Sequence, residues 1–186
     1  MSLFEYIVAS FTILLGLAFA RRLHALRYVF NKNKADITHY SLFLTCLCLL
    51  ALSWWSKWSL SEVDNWSFVK FLLVLLDFGL MYMMCDVIAP ANSENINSWG
   101  EHIDENINIF FILLILKWLT TRLGYWYILG LSNYGYFISA LVLCILPIFG
   151  IFLKKREHIK IIAILTFFKF LIIFYFVINT NTIIYK

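Results

Sequence analysis

Two charged residues lie deep inside stretches of the chain that are otherwise apolar. Asp77 is the eleventh residue of the apolar run 67–88, and Lys169 is the eleventh residue of the run 159–178. If both runs cross a membrane, each charge lies near the bilayer centre, where an isolated charge costs at least about 2.5–3.5 kcal/mol. We predict that Asp77 and Lys169 face the protein interior and contact each other, within one chain or across a subunit boundary.

This intramembrane pair has three interpretations. It is a structural ion pair, it is part of a pathway for a proton, an ion or a substrate, or the boundaries of the two runs are misplaced. Lys70 is a second candidate partner of Asp77, because residues seven apart share a helix face, but they lie about 10 Å apart along the axis.

Four cysteines occur inside the apolar runs: Cys46, Cys48, Cys85 and Cys144. On a helix Cys46 and Cys48 point about 200° away from each other, so they do not share a metal ion there. We interpret all four as small core residues.

An acidic segment precedes the fourth apolar run. It holds Glu94, Glu101, Asp104 and Glu105, with His102 among them. A carboxylate–imidazole metal site is conceivable, but no HExxH-type pattern is present. We favour a solvated acidic loop that faces basic loops and supplies negative charge to a helix N-terminus, and we predict no metal site.

The composition decides the class of protein that must position these residues. The chain has 186 residues, of which 62% are hydrophobic and 14% charged, with a mean hydropathy of +0.83. Soluble domains contain about 45–50% apolar and about 25% charged residues, so this chain is too apolar for that class. Two prolines and seven glycines exclude a collagen-like or linker-rich chain, and four cysteines do not make a disulfide scaffold.

We predict an all-α polytopic transmembrane bundle that forms a single domain over residues 1–186. A helix needs about 20 residues to cross the hydrocarbon, and the apolar runs are continuous rather than alternating. Six spans are predicted, with four or five as alternatives: 3–20, 38–55, 67–88, 104–122, 133–153 and 159–178. Residues 123–132 either continue the fourth span or lie in the interface. The run 3–20 is not read as a signal peptide, because its positive charges follow it.

Basic residues predict the orientation. Positive charge concentrates in cytoplasmic loops, so both termini are expected outside, and six of the seven tryptophans fall on that outer side. Nine Lys and Arg residues lie in the first and fifth loops, against three on the other side: Arg21, Arg22, Arg27, Lys32, Lys34, Lys154, Lys155, Arg156 and Lys160, against Lys57, Arg122 and Lys186.

The basic loops and the first span also offer contact surfaces. Arg21, Arg22, Arg27, Lys154, Lys155 and Arg156 are expected to contact anionic lipid or a protein partner, although topology alone requires the same charges. Thr12, Gly16 and Ala20 recur every four residues and form one flat face of small side chains. Such faces allow close helix packing in lipid; we favour packing within the chain and leave a second copy open.

The N-terminal segment Phe4-Glu-Tyr-Ile7 with Ile13-Leu-Leu-Gly-Leu-Ala18 resembles a widespread family of uncharacterised bacterial integral membrane proteins. Trp54-Trp55, Asn65-Trp66-Ser67-Phe68, Pro90 and Phe110-Phe111 extend the resemblance over about residues 4–111. It implies a multi-pass protein of the bacterial inner membrane. It supplies no activity and no catalytic residues.

No nucleophile–base pair, phosphate-binding loop or metal quartet stands out, so the sequence predicts no enzyme, no cofactor and no direct nucleic-acid partner. The expected function is a non-enzymatic sensor or pore/permeability effector that is homo-oligomeric and works with a soluble cytoplasmic partner, one setting being bacterial antiphage defence. The alternative is a small transporter or ion channel that uses Asp77 and Lys169.

Overall fold

The chain folds as an all-α bundle in the computed structural model, which describes residues 3–29, 36–130, 134–153 and 155–180. Those residues form six α-helices and no strand, so the predicted fold class is confirmed. The helices are α1 (Leu3–Val29), α2 (Ile37–Ser56), α3 (Phe68–Ile88), α4 (Trp99–Leu129), α5 (Tyr134–Phe152) and α6 (Arg156–Thr180), with a 3₁₀ helix at Lys57–Glu62 directly after α2 and a second at Ser93–Asn95.

Side-chain caps begin three of these helices. Asp36 accepts a hydrogen bond from the backbone N–H of His39 at 2.9 Å, and Ser67 and Ser98 cap α3 and α4 in the same way. At the other end of α4, Gly130 adopts a left-handed conformation with φ of 67°. That conformation favours glycine and ends helices in a defined direction.

Within the described part of the chain, five helical segments are long and apolar enough to cross a membrane, which indicates a multi-pass membrane protein. They are Glu5–Leu26, Ile37–Glu62, Phe68–Asn95, Trp99–Leu129 and Arg156–Val177. Helix α5 contributes a further apolar stretch, Ile138–Phe152. The aromatic segment after residue 122 continues α4 as helix to Leu129, whereas residues 131 and 132 lie outside the described part of the chain.

Aromatic and backbone contacts tie four helices together at one end of the bundle, which we call the Trp99 end. His39 donates from Nε2 to the Ile88 carbonyl at 2.8 Å and stacks on Trp99 with ring centroids 4.1 Å apart. The Trp99 indole donates to the Tyr28 carbonyl at 3.1 Å. These contacts satisfy carbonyls at the ends of α1 and α3, which have no partner within their own helices. The opposite end, where Lys57 follows α2, is called the Lys57 end.

The small-residue face of α1 does not pack inside the chain, so that prediction is wrong. Thr12, Gly16 and Ala20 are exposed, and no atom lies within 4 Å of the position of a Cβ on Gly16. A different stripe of α1 is buried, and its Phe11 stacks on Phe78 at 4.9 Å. Bulky side chains bury more surface and make more contacts than small ones, which explains why they face the core.

Helices α4 and α5 are in close contact at Gly150. The ring of Phe111, a fully buried side chain of α4, occupies the space where a Cβ on Gly150 would lie. Glycine at this position therefore lets the two helices pack around the ring.

We expect Gly150→Ala to lower the free energy of unfolding by about 1–3 kcal/mol, because the added methyl group overpacks the contact with Phe111. Thermal unfolding of the purified protein in detergent measures the effect. Gly79→Ala is the matched control, since no atom lies within 4 Å of its Cβ position, and alanine at a helical site gains about 0.5–1 kcal/mol over glycine. Equal melting temperatures for the two variants would contradict the overpacking.

Candidate functional site: a buried charged cluster

Four polar side chains from three elements meet around Asp77 inside the bundle. Asp77 lies near the middle of α3, and Lys117 and Thr121 lie one turn apart on α4. Lys57 comes from the first position of the 3₁₀ helix that follows α2. Because that helix turns the chain at the end of α2, the lysine side chain extends back into the bundle.

The geometry is that of one carboxylate shared by two ammonium groups. Lys57 Nζ lies 2.8 Å from Asp77 Oδ2, and Lys117 Nζ lies 2.9 Å from Asp77 Oδ1. The Thr121 hydroxyl accepts a hydrogen bond from Lys117 Nζ at 3.2 Å and contacts Asp77 Oδ1. We call Asp77, Lys57, Lys117 and Thr121 the charged cluster.

The charged cluster is almost fully removed from solvent. The side chains of Asp77, Lys117 and Lys57 are 2%, 5% and 11% exposed. Two ammonium groups and one carboxylate leave a net charge of +1. The Lys57 ammonium also lies 5.4 Å from the ring centroid of Phe78 and 5.2 Å from that of Tyr125, at distances where aromatic faces attract cations.

Lys169 is not part of this cluster, so the predicted contact between Asp77 and Lys169 within the chain is wrong. Lys169 donates from Nζ to the carbonyl oxygen of Leu143 in α5 at 3.0 Å. Pro147 lies four residues after Leu143 and has no N–H to bond that carbonyl, so the lysine satisfies an acceptor that the proline leaves open. Lys70, the second candidate partner, bonds the Asn65 carbonyl at 2.8 Å.

Sequence reasoning missed both lysines that do bind Asp77. Lys117 falls inside the predicted span 104–122, so the rule that singled out Asp77 and Lys169 would have found it. Lys57 follows the predicted span 38–55 and was assigned to a loop. Nothing in the sequence indicates that its side chain turns inward.

A cavity of about 460 Å³ adjoins the charged cluster at the Lys57 end, between α2, α4 and α6. Lys117 and Thr121 form part of its wall, together with Arg122. A smaller cavity of about 60 Å³ lies on the other side of Lys57, between α1, α2 and α3. The charged cluster therefore borders both cavities, the larger one through Lys117 and Thr121 and the smaller one through Lys57.

Toward the Trp99 end, apolar side chains fill the next level of the bundle. They lie one to two helical turns beyond Asp77 and Lys117, and each is fully buried: Met81, Met84, Phe110, Phe111 and Leu114. We call these five residues the apolar layer. A packed layer of this kind excludes water, so it closes the bundle on the Trp99 side of the charged cluster.

Arg22 differs from the expectation for a basic loop. Its side chain is fully buried, its guanidinium carbon lies 5.3 Å from the Phe43 ring centroid, and its nitrogens have no hydrogen-bond partner among the described residues. The expected lipid or partner contact of Arg22 is therefore wrong, because α1 continues as helix beyond the predicted span end at residue 20 and carries Arg22 into the bundle.

Of the other basic side chains predicted to contact lipid or a partner, the structure describes three, and two of them contact acidic residues of the same chain. Arg21 pairs with Asp86 at 2.9 Å, and Arg156 pairs with Asp36 at 3.1 Å and with Asp104 at 3.0 Å. Lys155 is exposed. The side chain of Arg27 and all of Lys154 lie outside the described residues.

The acidic segment contacts the basic loops but does not form a metal site in the described part of the chain. Besides the pair of Asp104 with Arg156, the Glu94 carboxylate accepts from the Tyr28 hydroxyl at 3.4 Å. Glu101 and Glu105 are exposed. The four cysteines are free thiols, and all but Cys48 are buried.

We expect Asp77→Asn to be the most damaging single change in the charged cluster, because it leaves two buried lysines without a carboxylate. Breaking a buried ion pair costs about 3–5 kcal/mol. Folded yield after detergent extraction measures the effect. Lys117→Met leaves a one-to-one pair of Asp77 and Lys57 and should cost less, and the double variant should recover part of the yield lost by Asp77→Asn.

Lys169→Met is the matched control, since it removes a half-buried lysine that bonds the Leu143 carbonyl and not Asp77. It should lower the yield less than Asp77→Asn. If Lys169→Met is as damaging, or if the double variant is no better than Asp77→Asn, the charged cluster does not control folding.

Comparisons of the chain with protein-family models, with curated proteins and with solved structures found no match.

Proposed function

We propose that this protein is a non-enzymatic membrane module, best described as a closed permeability effector or sensor. The observation that carries the proposal is the charged cluster beside the apolar layer. A cavity approaches the cluster from the Lys57 end, and packed apolar side chains close the bundle beyond it. Hydrophobic constrictions of this kind gate pores by excluding water, so displacement of the layer would open a polar route.

In this proposal, the charged cluster is the part of the protein that changes between the closed and the open state of the gate. It joins the end of α2, the middle of α3 and α4 through contacts to one carboxylate. Its net charge of +1 in a dry interior is compatible with a resting state that a signal can shift. The carboxylate, ammonium and hydroxyl groups of the cluster form ion pairs and hydrogen bonds with each other rather than facing a substrate. This arrangement favours a gating or sensing role over catalysis.

The proposed orientation places the Trp99 end in the cytoplasm of a bacterium, at the inner membrane, with both termini outside. The excess of Lys and Arg in the loops of that end and the resemblance of residues 4–111 support it. Exposed Lys155, Glu101 and Glu105 lie at that end and offer mixed charge to a soluble partner. Antiphage defence is one setting in which such a pair would act.

The permeability proposal is tested with the full chain in liposomes that hold a small anionic dye. Wild-type protein should leak little, and Phe110→Ser or Met84→Ser should leak several-fold faster, because a hydroxyl wets the apolar layer. Ile112→Ser and Leu116→Ser are the controls, since these α4 side chains are exposed on the outside of the bundle. Folded apolar-layer variants that leak no more than the controls would refute the gate.

Self-association is also proposed, through the exposed face of Thr12, Gly16 and Ala20. This face and α2 border a groove of about 350 Å³. Small residues allow close approach between helices of two copies in lipid.

We expect Gly16→Leu to weaken the oligomer, because the side chain blocks close approach of a second α1. Mass measurement in nanodiscs gives the number of chains. Val142→Phe adds bulk at an exposed position of α5 and should leave that number unchanged. A wild-type protein that is monomeric at all concentrations would contradict the proposal.

A transporter or channel is the second candidate, and the cavity beside Lys117 is the observation that favours it. A transporter predicts saturable uptake of one solute by the wild-type protein, without any change in the apolar layer. The liposome assay separates the two functions, since an effector leaks non-selectively and only when the layer is disturbed.

A further inference from the structure

The side chains that line the cavity between α2, α4 and α6 are apolar in its deeper part and polar near the helix ends. Apolar side chains line its deeper part, where Leu49, Leu52 and Ile173 face each other across α2 and α6. Polar groups line the part closer to the helix ends, with Ser56 of α2 and Arg122 of α4 among them. An occupant that satisfies both parts has a polar head at the helix ends and an apolar tail toward the bilayer centre.

The charges around this cavity select an anion. Arg122 and Lys117 belong to its wall, and Lys57 lies behind them in the charged cluster. Among the described residues of the cavity wall and the charged cluster, three are cations and one, Asp77, is a carboxylate, which is a net charge of +2. The acidic side chains of Glu62 and Asp64 precede α3, are exposed, and are not part of the cavity wall.

We propose that the cavity between α2, α4 and α6 binds one anionic phospholipid. Its phosphate head contacts Arg122 and the outer side of Lys117, and one acyl chain runs along Leu49, Leu52 and Ile173. Basic pockets between membrane helices recognise anionic head groups in this way. A phospholipid is favoured over a free anion because the cavity has apolar walls that an ion would leave in contact with water.

The site is the same cavity that adjoins the charged cluster in the proposed function, but lipid retention is measured without a permeability readout, so failure of one proposal is distinguishable from failure of the other. The full chain is purified from detergent that contains phosphatidylglycerol or phosphatidylcholine, and bound lipid is counted by native mass spectrometry. Wild-type protein should retain one phosphatidylglycerol in preference to phosphatidylcholine. Arg122→Gln should retain phosphatidylglycerol about fivefold less, the effect of one basic residue on an anionic head group.

Two further variants make the outcome decisive. Ile173→Trp fills the deeper part of the cavity without changing charge and should also lose the lipid, even if Arg122→Gln does not fold. Lys155→Gln removes an exposed charge at the Trp99 end and should bind as wild type.

Equal retention of the two lipids, or wild-type retention by both cavity variants, would overturn the proposal. Displacement of phosphatidylglycerol by inorganic phosphate at millimolar concentration would identify a simple anion site instead and would overturn it as well.

Discussion

One carboxylate determines how the Lys57 end of this bundle is organised. Asp77 contacts a lysine from the end of α2 and a lysine from α4, and without it two ammonium groups would face each other in a medium of low dielectric constant. The positions of α2, α3 and α4 at this level therefore depend on a single side chain. Apolar contacts elsewhere are numerous, whereas Asp77 is the carboxylate that both Lys57 and Lys117 contact among the described residues.

The two ends of the bundle differ in their side-chain contacts and in the space left between their helices. At the Trp99 end, directional hydrogen bonds from His39 and Trp99 meet helix carbonyls, and ring stacking leaves little free space. At the Lys57 end, the two direct ion pairs of Asp77 and a hydrogen bond from the Tyr125 hydroxyl to the Ser56 carbonyl join the helices, and cavities lie on both sides of Lys57. These cavities leave space beside the charged cluster that the described residues do not fill.

Composition and hydropathy were sufficient to predict the class of fold and the burial of Asp77, but not its partners. Apolar runs report which segments avoid water, and they carry no information on which helix faces which. Lys117 was visible as a charge inside a span and was overlooked, whereas the inward turn of Lys57 depends on a 3₁₀ helix that no pattern indicates. Arg22 shows the same limit, since its burial follows from how far α1 continues.

Lys169 shows that an intramembrane charge can have a purely backbone partner. In water, the carbonyl that Pro147 leaves open would bond to solvent, but inside a bilayer it must be satisfied by the protein. The lysine on α6 supplies that bond across the interface with α5. Its position is thus explained by a proline on a different helix rather than by a carboxylate. Intramembrane charges must therefore be weighed against open backbone acceptors before they are assigned to a pathway.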